Sequence, residues 1–177
     1  MTKIQNLNQA GFTLIELILY IVLVTMMLGT LIPFAWNVIE GGVKVSTEQE
    51  VYSQARYVSE AIKRRVRDAS SVSVCNASEL YVINSVAPTN STRFCYNAAL
   101  DTLTFNQGNP PAVCPGAAAN RLHSTDTIVT AFACTSYSGT GTDNAQITLT
   151  VSDNYANTTR QEYNESINVQ FSAETRE

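Results

Sequence analysis

The sequence predicts an α+β protein: a long N-terminal helix, its first half able to cross a membrane, packed on an antiparallel β-sheet domain. Three observations carry this. An almost unbroken apolar run begins at Phe12. Small aliphatic residues then recur every three or four positions from Val51 to Ala69. Beyond Val72 the chain turns into short Thr- and Val-rich segments separated by turn residues. The 177 residues divide accordingly into a polar leader (1–11), an apolar helix (12–39), an amphipathic helical stretch (40–71) and a β-rich domain (72–177).

The apolar run is long enough to span a bilayer. Leu17 to Ile39 is 23 residues without a charge, about 35 Å of helix against a hydrocarbon core of about 30 Å. A secretory signal core is shorter, about 7–15 residues, and ends in a small-residue cleavage site that is missing after this run. Any processing site is therefore expected before the helix, which stays in the mature chain. Lys3 and the terminal amine flank one end, and Glu40 with a polar domain flanks the other. The positive flank is expected to stay cytoplasmic, with the C-terminal domain outside.

Glu16 is a carboxylate inside this run. A charge at membrane depth is costly and marks a functional site by default, although a residue one turn from the start of the run could also reach the headgroups. Gly29 and Pro33 interrupt the run. Proline removes a helical hydrogen bond and clashes with the preceding turn, so a kink or local melt is expected there.

After Gly41-Gly42, which form a weak point between two stretches that can be continuous, Val51, Ala55, Val58, Ile62, Val66 and Ala69 form the apolar stripe of an amphipathic helix. Ser46 or Thr47 is a candidate cap, with Glu48 and Glu50 suiting the positive end of the dipole and Lys63, Arg64, Arg65 and Arg67 the negative end. The basic run reads either as a solvated face or as a contact with a partner subunit or acidic surface.

Strands are expected over Leu80–Asn84, Thr92–Asn97, Thr102–Phe105, Thr127–Cys134, Ala145–Val151 and Glu165–Ser172. Alternation is clearest in Ile147, Leu149, Val151 and in Ile167, Val169, Phe171, which gives those strands one buried face. Pro88–Ser91, Gln107–Gly116 and Ser138–Asn144 read as loops.

Cys75, Cys95, Cys114 and Cys134 all come after the apolar run, none in a C-x-x-C pair. With a single histidine, His123, no metal site is expected. An even set of cysteines beyond a membrane reads as two disulfides. Three pairings are possible; closure of local loops favours Cys75–Cys95 and Cys114–Cys134. A net charge of −4, or −5 without Lys3, argues against a general nucleic-acid surface. His123 with nearby Asp126 makes no catalytic constellation, Asp143-Asn144 lacks the spaced ligands of a calcium loop, and no phosphate-binding loop is present. No cofactor and no enzymatic activity are expected.

Gly11, Phe12, Thr13, Leu14, Ile15 and Glu16, with Pro33 further on, resemble the N-terminus of type IV pilins and type II secretion pseudopilins. The resemblance implies a pilin-like fold, cleavage between Gly11 and Phe12 by a prepilin peptidase, and N-methylation of Phe12. It further implies that Glu16 pairs with the new amino group of a neighbouring subunit, and that Pro33 lets the helix adapt on polymerisation. The implied partners are other pilin or pseudopilin subunits, an inner-membrane assembly platform and the lipid bilayer. The implied location is the cytoplasmic membrane, then a pilus or pseudopilus. In the body, A-I-K-R-R-V-R-D-A-S, R-F-C-Y-N with L-T-F, and Y-N-E-S-I-N-V-Q-F-S resemble minor pseudopilins of the J type and related minor pilins. The function expected is that of a minor pilin or pseudopilin. A pilus-tip adhesin or DNA-uptake subunit on the same anchor is the alternative.

Overall fold

The computed structural model describes residues 13–111, 113–114, 120–138, 143–155 and 164–176. The chain divides into two compact units, Met1–Gly42 and Val43–Glu177. Helix α1 runs from Leu14 to Arg67. After it come β1 (Ser71–Cys75), β2 (Glu79–Ile83), a 3₁₀ turn (Pro88–Asn90), β3 (Thr92–Asn97), β4 (Thr102–Gln107), β5 (Asn120–Arg121), β6 (Thr127–Ser138), β7 (Asp143–Asp153) and β8 (Ser166–Glu174). Every strand pairing among the described residues is antiparallel. The strands form two sheets, β1-β2-β3-β4-β5 and β6-β7-β8. The architecture is a pilin-like α+β fold, a long N-terminal apolar helix whose later part packs on antiparallel sheets.

The aliphatic stripe is what joins helix to sheets. Val51, Val58, Ile62 and Val66 are completely buried, with Ala55 and Ala69 nearly so. They share one cluster with Leu80, Val82, Phe94 and Leu103 of the first sheet and Val129, Ile147, Leu149 and Val151 of the second. Each such aliphatic side chain contributes about 1.5–3 kcal/mol on burial. One helix face thus supplies a common core for both sheets, and no further helix is needed to cover them.

Two strands lie outside the expected set, β1 and the two-residue β5. The S-V-S-V-C pattern of β1 is short and Ser-rich, and it is held by pairing with β2 and by Asp143 and Cys134 far along the chain. The β6–β7 hairpin reaches Ser138 and restarts at Asp143, so Asn144, expected in a loop, belongs to a strand. Helix α1 passes unbroken through Pro33 and Gly41-Gly42, and no local melt separates its parts. Ser46 and Thr47 therefore cap nothing, because no free helix N–H exists there. The Thr47 hydroxyl instead donates back to the Val43 carbonyl at 3.1 Å.

The helix terminates where its last carbonyls find other donors. Ala69 N–H donates to the Val66 carbonyl (3.1 Å), Asn84 Nδ2 to the Asp68 carbonyl (2.8 Å) and Arg176 N–H to the Ala69 carbonyl (3.2 Å). The basic residues of the last turn suit the negative end of the dipole. Lys63 and Arg64 are also paired on the helix surface, with Glu60 (3.0 Å) and Asp68 (4.0 Å).

The disulfides are Cys75–Cys134 and Cys95–Cys114, not the local pairs expected. The register of β2 explains why. Cys75 lies opposite Leu80 on one side of β2, and Cys95 lies opposite Glu79 on the other. The intervening strand sets the two cysteine backbones about 9.5 Å apart, beyond the roughly 7 Å that a disulfide spans. Because Leu80 and Glu79 point to opposite faces, so do their cysteine neighbours. Cys75 faces the core, where it meets Cys134 of β6 with Cα atoms 5.1 Å apart. Cys95 faces away and fastens the segment after β4 through Cys114. The first bridge joins the two sheets. Nearby, Val129 N–H donates to the Asp101 carbonyl (2.9 Å) and Tyr96 Oη donates to the Thr130 carbonyl (2.7 Å).

Candidate functional site

The proposed cleavage and methylation positions, Gly11 and Phe12, lie outside the described residues. Thr13 is the first residue described, and it shapes the first turn of α1. Its hydroxyl accepts the Glu16 N–H at 3.4 Å. Thr13-x-x-Glu16 ahead of an apolar run is the spacing of a capping box, in which residues before and at the third helical position satisfy free N–H groups. Glu16 is also the acidic residue of the first turn, where the helix dipole favours a negative charge. Glu16 is thus more than an anomalous charge, and the sequence signal for its local role is Thr13, three residues earlier.

Downstream, the helix offers an exposed apolar surface. Large side chains including Leu17, Ile18, Ile21, Leu28, Phe34 and Trp36 are exposed. Length and composition suffice for a membrane span. An exposed apolar surface of this extent needs lipid or protein around it. The threonines in this stretch are compatible with that environment. The Thr25 hydroxyl donates to the Ile21 carbonyl (2.9 Å) and the Thr30 hydroxyl to the Met27 carbonyl (2.9 Å), so neither presents an unpaired donor to hydrocarbon. Pro33 has no N–H to offer the Gly29 carbonyl one turn back, and a Cβ at Gly29 would meet no atom within 4 Å.

His123 has a structural use. It is buried, and its Nε2 accepts the Leu103 N–H at 3.2 Å. Its Nδ1 faces the Thr127 carbonyl at 2.8 Å and the Ser124 carbonyl at 3.0 Å. These partners require the neutral tautomer protonated at Nδ1. Burial first, and then the neighbouring Arg121 guanidinium, hold its pKa below the ordinary histidine value, against the pull of the two carbonyls. The unfolded chain therefore binds a proton at higher pH than the folded one. The stabilising contribution is complete above about pH 6.5 and is lost as pH falls towards the lower folded pKa. Thermal melting between pH 7.5 and 5 should show this decline, and His123→Gln should flatten it while lowering stability at pH 7.5.

Asp143 likewise belongs to the scaffold. Its Oδ2 accepts the Val72 N–H at 2.9 Å, and its own N–H donates to the Thr175 hydroxyl at 3.1 Å. That explains the residue without a calcium ion. Among the described residues no group of His, Cys, Asp and Glu is placed to hold a metal.

Residues 6–32 match the model of the prokaryotic N-terminal methylation motif. No curated protein and no solved structure shows significant similarity to the chain. The motif spans the residues singled out in the sequence, Gly11, Phe12 and Glu16, and stops before Pro33. Motif and fold together define a prepilin-like protein, a structural rather than a catalytic class. The motif implies processing by a prepilin peptidase. With the apolar helix it points to membrane anchoring ahead of filament assembly.

Proposed function

We propose that this protein is a minor pilin or pseudopilin, a subunit that assembles into, or primes, a type IV pilus or type II secretion pseudopilus. The observation that carries the proposal is a single carboxylate, Glu16, in the first turn of an otherwise uncharged, exposed apolar run within a methylation motif. In the precursor, the helix spans the cytoplasmic membrane with Gly11 on the cytoplasmic side and the β domain outside. Prepilin peptidase cuts between Gly11 and Phe12 and methylates the new Phe12 amine. Glu16 is then four residues from a positive terminus. A pair of charges costly to bury singly becomes tolerable when each faces the other across a subunit interface.

Pro33 weakens one helical turn, allowing the helix to adapt as it joins a bundle of others on the assembly platform. The minor role is supported by the J-type resemblance of the body segments alone.

The mass of the N-terminal peptide tests the reading. In cells with an active prepilin peptidase, the protein should begin at a methylated Phe12. In cells lacking the peptidase it should begin before residue 12. A protein that retains residues 1–11 despite an active peptidase would refute the proposal.

A further inference from the structure

Two sheets have four edges, formed by β1, β5, β6 and β8; among the described residues β1 and β6 meet other parts of the chain, and β5 is only two residues long. At β1, the Val72 N–H is taken by Asp143 Oδ2. At β6, the Val129 and Cys134 N–H groups donate to the Asp101 and Asn76 carbonyls. Beside β4 lie β5 and His123, whose Nε2 accepts the Leu103 N–H. The edge of β8 is different.

Its outward groups follow from the ladder. Thr175 N–H donates to the Asp143 carbonyl, and the Glu165 carbonyl accepts the Asp153 N–H, so odd-numbered residues face β7. Backbone groups alternate along a strand, which turns the N–H and C=O of Ser166, Asn168, Gln170 and Ser172 outward. Among the described residues none of these outward groups has a backbone partner. Beyond the strand, Arg176 N–H does have one, the Ala69 carbonyl. The β7–β8 ladder carries no register shift, unlike β1–β2 and β6–β7. From Ser166 to Ser172 the edge has no proline and no charge, the usual devices that keep an edge from pairing.

What lies beside this edge selects its occupant. Lys63 Nζ stands 5.1 Å from the centre of the Phe171 ring. Arg67, one turn further along α1, lines a cavity of about 410 Å³ with Ser172, Glu174 and Arg176. Ile167 and Val169 are only half-buried against the core, so the apolar face of the sheet continues to the edge. A second copy of this chain is the wrong occupant. Two β8 strands paired antiparallel about Gln170 would bring two Lys63–Arg67 stripes to the same face of the joined sheet, where like charges repel.

We propose that the open edge of β8 is a docking site for an extended acidic segment of a partner protein, which adds to the sheet as a fourth strand. Its backbone would pair with Ser166 to Ser172, its apolar side chains would extend the core past Ile167 and Val169, and a carboxylate would meet Arg67 and share Lys63 with Glu60. This does not depend on the assembly reading, since the edge is present in the unprocessed chain.

The test uses the detergent-solubilised full-length chain and a capped peptide of alternating valine and threonine ending in two aspartates. Residue-resolved hydrogen exchange should slow about tenfold or more at Asn168, Gln170 and Ser172, with Val169 and Phe171 unchanged because β7 already protects them. Combined Lys63→Glu and Arg67→Glu should weaken binding about fivefold, as should asparagines in place of the aspartates. Gln170→Pro should abolish binding while leaving the β7 ladder intact, because that N–H points away from β7. The same peptide N-methylated at alternate amides, added to the unaltered chain, should also fail to bind. No slowing at millimolar peptide would overturn the proposal. So would protection of the three amides in the free chain, whether constant or rising with protein concentration, since the edge would then be covered by the chain itself or by a second copy.

Discussion

Glu16→Ala and Glu16→Gln are both expected to reduce incorporation into filaments by about a hundredfold or more. Leaving one member of a buried charge pair without its partner costs about 3–5 kcal/mol, which corresponds to a factor of about 10² to several thousand. Both variants remove the charge while keeping the Glu16 backbone N–H that donates to the Thr13 hydroxyl, and glutamine also keeps the length and polarity of the side chain. Loss of the cap alone costs about 1 kcal/mol, too little to block assembly. If Glu16→Gln enters filaments as efficiently as the parent, the charge-pair role is wrong. Incorporation is measured as the ratio of this subunit in sheared filaments to that in the membrane, with processing at Gly11 checked in the same samples.

Removing the Cys75–Cys134 bridge is expected to be the most damaging change within the β domain. The bridge closes a sequence separation of 59 residues. Because Cys95–Cys114 lies inside it and spans 19, the effective loop is about 40 residues. Chain entropy then assigns the outer bridge about 4 kcal/mol and the inner one about 3 kcal/mol. Only the outer one also joins the two sheets through the core. Cys75→Ala with Cys134→Ala should therefore lower the denaturation midpoint more than Cys95→Ala with Cys114→Ala. Equal effects, or a larger loss from the inner pair, would contradict this assignment. Non-reducing peptide mapping should recover the 75–134 and 95–114 cross-linked peptides.

Much of the fold is legible in the chain because it rests on periodicity. Val51, Ala55, Val58, Ile62 and Val66 fall at helical spacing, and all five are buried in the order that the spacing implies. Alternation in Ile147, Leu149 and Val151 marks a strand whose inner face is in the core. The pattern fails where stability comes from elsewhere. β1 and β5 are short, and their places are set by β2 and β4 alongside them. Ser46 and Thr47 resemble a helix start because their residue types favour caps, yet tertiary burial of Thr47 and the intact helix on both sides override that preference. Of the candidate site, the charge of Glu16 stands out at once against its apolar neighbours. The Thr13 hydroxyl that accepts the Glu16 backbone N–H is equally present in the sequence, as a three-residue spacing that the charge overshadows.

The chain by itself determined the prepilin-type motif, the length of the apolar helix and the stripe that holds the sheets, since each is a local or periodic property of consecutive residues. Only the tertiary structure decided which cysteines pair, that the strands divide into two sheets, and that His123 and Asp143 serve the scaffold. These depend on strand register and on which face a side chain takes. A single intervening strand, β2, puts Cys75 and Cys95 on opposite faces, and no count of residues between them reveals that.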